Sequence, residues 1–165
     1  MKFLVFFLLF GLNAFSQENG MQVNLGVRYS KIDFFLEPSV VISKVKIRHE
    51  FGLGVGVNRT FTQMRFFPQV NYSLMSNFKA FHNFQVQGIA SYYLSAYNPN
   101  KFERELHFFN EFLLGFNFSY GNRFKTFIEP KFGLLNESFH SDLHQKILSF
   151  STFSYSFKFG FSYVL

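Results

Sequence analysis

The end of the chain decides the fold, because positions 153–165 read FSYSFKFGFSYVL. Every second residue from Phe153 to Leu165 is aromatic or apolar, and between them lie serines, one lysine, one glycine and Val164. Successive side chains of a β-strand point to opposite faces, so this period of two predicts a strand with one apolar and one mainly polar face.

The same period continues through nearly the whole chain. In 21–30, apolar residues such as Val23 and Val27 alternate with polar ones such as Asn24 and Arg28. No stretch shows a competing helical period. The alternation predicts eight strands, at 21–30, 33–43, 47–58, 64–74, 81–95, 105–120, 123–136 and 153–165.

Composition narrows the class of protein. Phenylalanine supplies 29 of 165 residues, and only 16% are charged. A soluble domain of this size has too little interior to hide so many large apolar side chains, so many should face something other than water. The net charge of +6 is modest and not clustered, which argues against nucleic-acid binding. The absence of cysteine excludes a lipid-modified cysteine anchor and disulfides.

The first sixteen residues have the features of a secretory signal peptide. Lys2 precedes an apolar run at 3–12, and small residues stand one and three positions before a cut after Ser16. The run is too short for a membrane-spanning helix, which needs roughly 20 residues. We therefore predict a signal peptide at 1–16 and one barrel domain at 17–165.

The orientation of the two faces follows from their bulk. The lumen of an eight-stranded barrel is just wide enough for its own side chains, so the Phe-rich face would overfill it. We predict an all-β, eight-stranded antiparallel up-and-down transmembrane β-barrel with this face toward lipid. Its polar face should then form a charge network in the lumen, in which acids and bases pair. The predicted members are Arg28, Glu37, Arg48, Glu50, Arg65, Glu111, Glu129, Lys131 and Lys158.

Connections and irregular positions complete the predicted topology. Periplasmic turns are expected at 44–46, 75–79 and 121–122, and external connections at 31–32, 59–63, around Asn98 and at 137–146. Proline removes a ladder hydrogen bond, so Pro38, Pro68 and Pro130 are interpreted as bulges. An inward row of Gly52, Gly54 and Gly56 should make room for aromatic neighbours such as Phe35 and Phe67.

On these residues, 21–165 resembles the small outer-membrane β-barrel proteins of the OmpX and OmpA-barrel type, with a Phe-rich style similar to those of Bacteroidota. Positions 157–165 resemble the C-terminal signal read by the outer-membrane assembly machinery, although Leu165 replaces the usual final aromatic residue. The resemblance implies localisation in the outer membrane and insertion by that machinery. It implies no activity.

Candidate chemistry is concentrated at 138–144, which contains the residue types of a hydrolase triad and, in His140, Asp142 and His144, of a zinc site. Adjacent residues in one loop rarely reach catalytic geometry, so we predict no catalytic, metal or cofactor site. His49 is interpreted as lying near the membrane boundary, and His107 as part of the polar lumen.

Three hypotheses for function remain from the sequence. The first is a non-catalytic, monomeric outer-membrane barrel with a role in envelope integrity or surface contact. The second is a barrel enzyme acting on lipid A or phospholipid, and the third is a secreted soluble barrel binding an apolar ligand. Basic residues near the external strand ends are candidate contacts for the phosphates of lipopolysaccharide. They are Lys31, Arg59, Lys101, Arg104 and Lys146.

Overall fold

The computed structural model describes five stretches of the chain. These are residues 20–44, 47–58, 67–98, 106–141 and 146–165. The signal peptide predicted at 1–16 lies outside them, so it stays a prediction. Within the described stretches, no helix is long and apolar enough to cross a membrane.

Eight strands form a closed barrel, which confirms the predicted fold class. Each strand pairs antiparallel with the next along the chain, and the last pairs with the first. Closure satisfies the backbone groups that an open sheet edge would expose to hydrocarbon. The strands are β1 (Met21–Ser30), β2 (Phe34–Lys44), β3 (Ile47–Gly56), β4 (Pro68–Phe81), β5 (Phe84–Tyr97), β6 (His107–Gly121), β7 (Phe124–Ser141) and β8 (Lys146–Val164).

The apolar face points outward, as predicted. Along β8, Phe157, Phe159 and Phe161 are exposed, whereas Lys158 and Gly160 between them are buried in the lumen. The same alternation holds in the other strands and surrounds the barrel with an apolar belt. A belt this extensive in contact with water would be unfavourable, and in a bilayer it is the expected lipid-facing surface.

Near one end of the barrel, the lumen is less polar than predicted. An aromatic plug closes it near the ends of the strands where β2 begins. The rings of Phe35 and Phe67 lie 5.2 Å apart, and Phe67 contacts Tyr97 at 5.3 Å between ring centroids. We use the name aromatic plug for the buried residues Phe35, Phe67, Tyr97, Phe109 and Leu135.

The two ends of the barrel differ. An even number of strands places the start of β1 and the end of β8 at one end, together with the β2–β3, β4–β5 and β6–β7 connections. We call this the turn end and the opposite one the loop end. The predicted turn at 75–79 is wrong, because β4 continues to Phe81 and the chain reverses at His82 and Asn83. A register shift between Asn77 and Lys79 interrupts the alternation there, which explains the error.

At the loop end, the connection predicted at 137–146 is mostly strand. Pairing of β7 with β8 continues outward from Asn136 and Ser151 to Ser141 and Lys146. The last described pair of β8 with β1 is Ser30 with Ser156, so this part of the hairpin extends beyond β1. We call 136–141 and 146–152 the projecting hairpin.

The prolines do not form the predicted bulges. Pro68 is the first residue of β4, where the missing N–H removes little pairing. Pro38 pairs with Leu25 and Pro130 with Phe157 in continuous registers. On their other sides, pairing lapses around each proline and resumes in the same register. Each proline therefore weakens one ladder without inserting a residue.

The glycine row of β3 makes room for its neighbours, in part as predicted. A Cβ atom at Gly56 would lie 2.4 Å from the Phe67 ring, so only glycine lets that ring enter the plug. At Gly52 the neighbour is the amide of Asn71, with a Cβ-to-Oδ1 distance of 2.5 Å. At Gly54 the neighbour is Gln69, whose Oε1 would lie 3.1 Å from a Cβ atom, so the row accommodates one aromatic ring and two amide side chains.

Candidate functional site in the barrel lumen

Arg28 of β1 is the centre of the charged lumen. Its Nε donates to Glu37 Oε1 of β2 at 2.7 Å, and its Nη1 donates to Glu111 Oε2 of β6 at 2.9 Å. The guanidinium group lies over the ring of Tyr93, 4.0 Å from the centroid. All four side chains are fully buried. Arg28 thereby joins strands on different walls of the barrel and is held by charge and by the aromatic face.

Lys158 of β8 forms a second link across the lumen. Its Nζ donates to Glu50 Oε1 of β3 at 2.9 Å and lies 3.4 Å from Glu37 Oε2. Glu50 Oε1 also accepts hydrogen bonds from Ser39 Oγ and from Asn24 Nδ2. Buried carboxylates need such partners, since an unpaired charge away from water is very unfavourable.

Lys131 and Glu129, both on β7, form the third pair. The Lys131 Nζ donates to Glu129 Oε2 at 2.7 Å and to the Tyr93 hydroxyl at 2.6 Å. Asn117 Nδ2 donates to the other carboxylate oxygen of Glu129 at 2.7 Å. Tyr93 thus contacts two cations, because the Arg28 guanidinium stacks on its ring.

The structure brings seven of the nine residues predicted for the lumen network into these ion pairs. Arg48 forms no ion pair with any described residue, and Arg65 lies outside the described residues. The hydrogen bonds that Ser39, Asn24 and Ser154 donate to the carboxylates were not predicted. The available signal was their position in the alternation, which places all three side chains on the inward face.

The network fixes the positions of the charged side chains, and its geometry offers little catalytic or metal-binding chemistry. Each carboxylate accepts a hydrogen bond from a cation, and Glu111 also accepts one from Ser154 Oγ at 2.7 Å. The described residues contain no group of three or more His, Asp or Glu side chains arranged to hold a metal ion. Together with the aromatic plug, the ion pairs fill the middle of the lumen.

The candidate residues of the loop end are only partly described. Lys31 is exposed, and its Nζ donates to Thr152 Oγ1 at 2.9 Å and to the Phe153 carbonyl at 3.3 Å. Lys146 is exposed at the start of β8. The remaining candidates, Arg59, Lys101 and Arg104, lie outside the described residues.

The histidines take different positions. His107 does not join the central network, because its Nδ1 lies 2.7 Å from Glu137 Oε1 at the loop end and its ring stacks on Phe139. His49 lies on the outer surface, two residues from the turn end of β3, with Nδ1 2.9 Å from the Tyr72 hydroxyl. This agrees with its predicted place near the membrane boundary.

Only part of the segment 138–144 lies within the described residues. Its first four residues belong to β7, and His140 is exposed there. Asp142 and His144 lie outside the described residues, so the triad and the zinc set that include them are untested.

The barrel was compared with known proteins. No family model matches the sequence, and no curated protein matches it. Among solved structures, the N-terminal β-barrel domain of Pseudomonas aeruginosa OprF matches with a TM-score of 0.60, covering 89% of this chain and 98% of that domain at 8% identity. This is the fold of an outer-membrane β-barrel. The outer-membrane protein AlkL, solved in lipid bilayers, matches with a TM-score of 0.52, covering 89% of this chain and 90% of that one at 10% identity.

These likenesses concern the fold, and the apolar belt gives independent physical evidence for a membrane. The chain has the fold of outer-membrane β-barrels, and its apolar belt is the surface expected to face lipid. A secreted soluble barrel would need the opposite arrangement, with polar residues outside and space for an apolar ligand inside. The filled, charged lumen contradicts that hypothesis.

Proposed function

We propose that this protein is a non-catalytic, non-conducting outer-membrane barrel that contributes to envelope integrity and to contact at the cell surface. The observation that carries the proposal is the closed lumen, in which Arg28 connects Glu37 and Glu111 across the barrel. Eight strands leave little free lumen, and here its centre is occupied by ion-paired side chains and its loop end by the aromatic plug. Such a barrel occupies the membrane without opening a path through it.

Conductance measurements test this proposal. We expect the refolded protein, inserted into planar lipid bilayers, to show no large and stable unit conductance. Small flickering currents agree with ion pairs that rearrange. Insertion is verified separately by the heat-modifiable mobility of the reconstituted protein on gels. A large, stable conductance would show that the lumen is a channel and would contradict the proposal.

The absence of catalysis is a separate part of the proposal. His140 is exposed on the projecting hairpin, where solvent competes for every hydrogen bond that a catalytic base would need. We expect no change in the masses of lipid A or phospholipids when the protein is produced in the outer membrane. A mass shift that disappears in the variant His140→Ala would support the enzyme hypothesis instead.

Surface contact is supported by the projecting hairpin. Ile147 and Phe150 are 73% and 57% exposed, although they lie beyond the last pair of β8 with β1. Exposed apolar side chains next to Lys31 and Lys146 suit a partner with both apolar and anionic groups. Lipopolysaccharide has this chemistry and surrounds the outer ends of such barrels. We propose it as the contact and the monomer as the functional unit.

A further inference from the structure

Two cations face each other at the turn end of the lumen. Arg48 projects from β3 and Lys125 from β7, which are opposite walls of the barrel, and both line one small cavity. Because both line this one cavity, two like charges are placed beside each other. Neither forms an ion pair with a described residue, and the nearby Glu50 is occupied by Lys158. The cavity therefore carries positive charge that no described acid balances.

Hydrogen-bond donors remain available in this cavity. Lys125 Nζ donates to Gln85 Oε1 at 3.2 Å, which uses one of its three N–H groups. Arg48 contributes a guanidinium group with five N–H groups and no carboxylate partner among the described residues. The hydroxyl of Ser162, which also lines the cavity, is buried and has no hydrogen-bond partner. Two cations and the unpartnered hydroxyl of Ser162 thus line the same space, together with one acceptor, the unpartnered amide oxygen Oδ1 of Asn117.

The size of the cavity limits what can bind. It has a volume of about 10 Å³, roughly the space that one water molecule needs. A halide ion is somewhat larger than water, so the flexible side chains of Arg48 and Lys125 must shift slightly to admit it, whereas a phosphate or a carboxylate would displace much more of the lining. We propose that Arg48, Lys125 and Ser162 form a binding site for one monatomic anion, of which chloride is the representative. The anion would neutralise the repulsion between the cations and accept the unused hydrogen bonds.

Thermal unfolding of the full barrel in detergent tests the site. The melting temperature, Tm, is measured by circular dichroism in sodium chloride, sodium bromide and sodium gluconate at equal ionic strength. Gluconate is too large for the cavity but screens charge equally well. We expect chloride and bromide to raise Tm saturably over gluconate, by about 3–6 °C at tenfold the Kd. Chloride-35 NMR line broadening measures binding directly.

Variants at the turn end make the test specific. The double variant Arg48→Gln with Lys125→Gln should lose both the Tm difference between the salts and the line broadening. The matched control is Arg123→Gln, an exposed cation at the same end, whose ring contact is with Tyr163. This control should keep both effects.

Two results would overturn the proposal. One is an equal Tm of the wild-type protein in chloride and gluconate with no line broadening, as expected if water or an acidic side chain outside the described residues fills the cavity. The other is a chloride effect that survives in the double variant, which would place the anion elsewhere. Because the double variant is compared with itself in two salts, a lower intrinsic stability does not obscure the result.

Discussion

The two halves of β8 have the same backbone structure and different surroundings. From Phe153 to Val164, exposed and buried side chains alternate with few exceptions, because one face meets lipid and the other the lumen. From Lys146 to Thr152, side chains of both faces are exposed or half-buried. Alternation of apolar and polar residues therefore indicates a strand whose two faces meet different environments. A strand with the same environment on both faces does not need to show it.

The largest predicted difference is between two separate deletions, one at each end of β8. Removing Tyr163 to Leu165 should abolish assembly in the outer membrane, because Val164 and Leu165 donate backbone hydrogen bonds to Arg123 and Met21 that complete the barrel. The same residues resemble the assembly signal. The amount of surface-exposed protein measures the effect.

The control shortens the other end of the strand. Deleting two facing pairs of the projecting hairpin, His140 with Ile147 and Ser141 with Lys146, should leave assembly near the wild-type level. Normal assembly of the C-terminal truncation would refute the role given to the inner end.

The second prediction compares a buried carboxylate in the lumen with a partly exposed carboxylate at the loop end. Glu37→Gln should lower the free energy of unfolding by about 3–5 kcal/mol, because it leaves Arg28 and Lys158 without part of their compensating charge in a buried site. Glu137→Gln, which affects a partly exposed pair with His107, should cost about 0–1 kcal/mol. Urea unfolding in lipid vesicles measures both. Equal costs would mean that the lumen is hydrated like the surface.

Phenylalanines of the outer face provide the third contrast. Phe159→Arg should cost about 2–4 kcal/mol, since a cation would then face the hydrocarbon near the middle of the membrane. Phe150→Arg on the projecting hairpin should change stability by less than about 0.5 kcal/mol. The two residues are similarly exposed, at 46% and 57%, so the solvent around them is the main difference. Similar costs in vesicle unfolding would argue against a hairpin outside the bilayer.

The smallest effect is expected at the loop end. Changing Arg59, Lys101 and Arg104 together to Gln should alter folding into plain phospholipid by no more than about 1 kcal/mol. It should reduce the added stabilisation by purified lipopolysaccharide. Arg123→Gln at the turn end is the matched control and should leave that stabilisation unchanged. If the triple variant also keeps it in full, the proposed contact with lipopolysaccharide is wrong.

What the sequence could predict follows from the same comparison. The face of every embedded strand was predictable, including the inward position of Glu111 and Lys158, because the two environments impose a period of two. The strands of the projecting hairpin were not predictable, because both of their faces meet water and their residues do not alternate. The end of β4 was missed because the register shift after Asn77 moves the alternation out of phase.

The lumen was predictable in its members and less so in its contacts. The alternation placed Arg28 and Arg48 on the same inward face, yet of these two only Arg28 reaches a carboxylate of a described residue. Which acid meets which base depends on the height of each strand in the barrel and on side-chain reach. The aromatic plug was anticipated only at Phe35 and Phe67, because Phe109 and Leu135 stand on the polar face of strands that are otherwise mixed.

The pairing of Lys158 with Glu50 has a consequence for the order in which the barrel forms. These partners are 108 residues apart, and Arg28 and Glu111 are 83 apart. Contacts between distant parts of a chain form late and slow the folding of a domain. The cation on the last strand can meet its acids on β2 and β3 only when β8 reaches β1. Pairing of Lys158 with Glu50 and closure of the cylinder are therefore one cooperative event, and a partly assembled chain would carry these two charges unpaired until that moment. The pairs of Arg28 with Glu37 and of Lys131 with Glu129 can form earlier, because they lie on adjacent strands or on one strand.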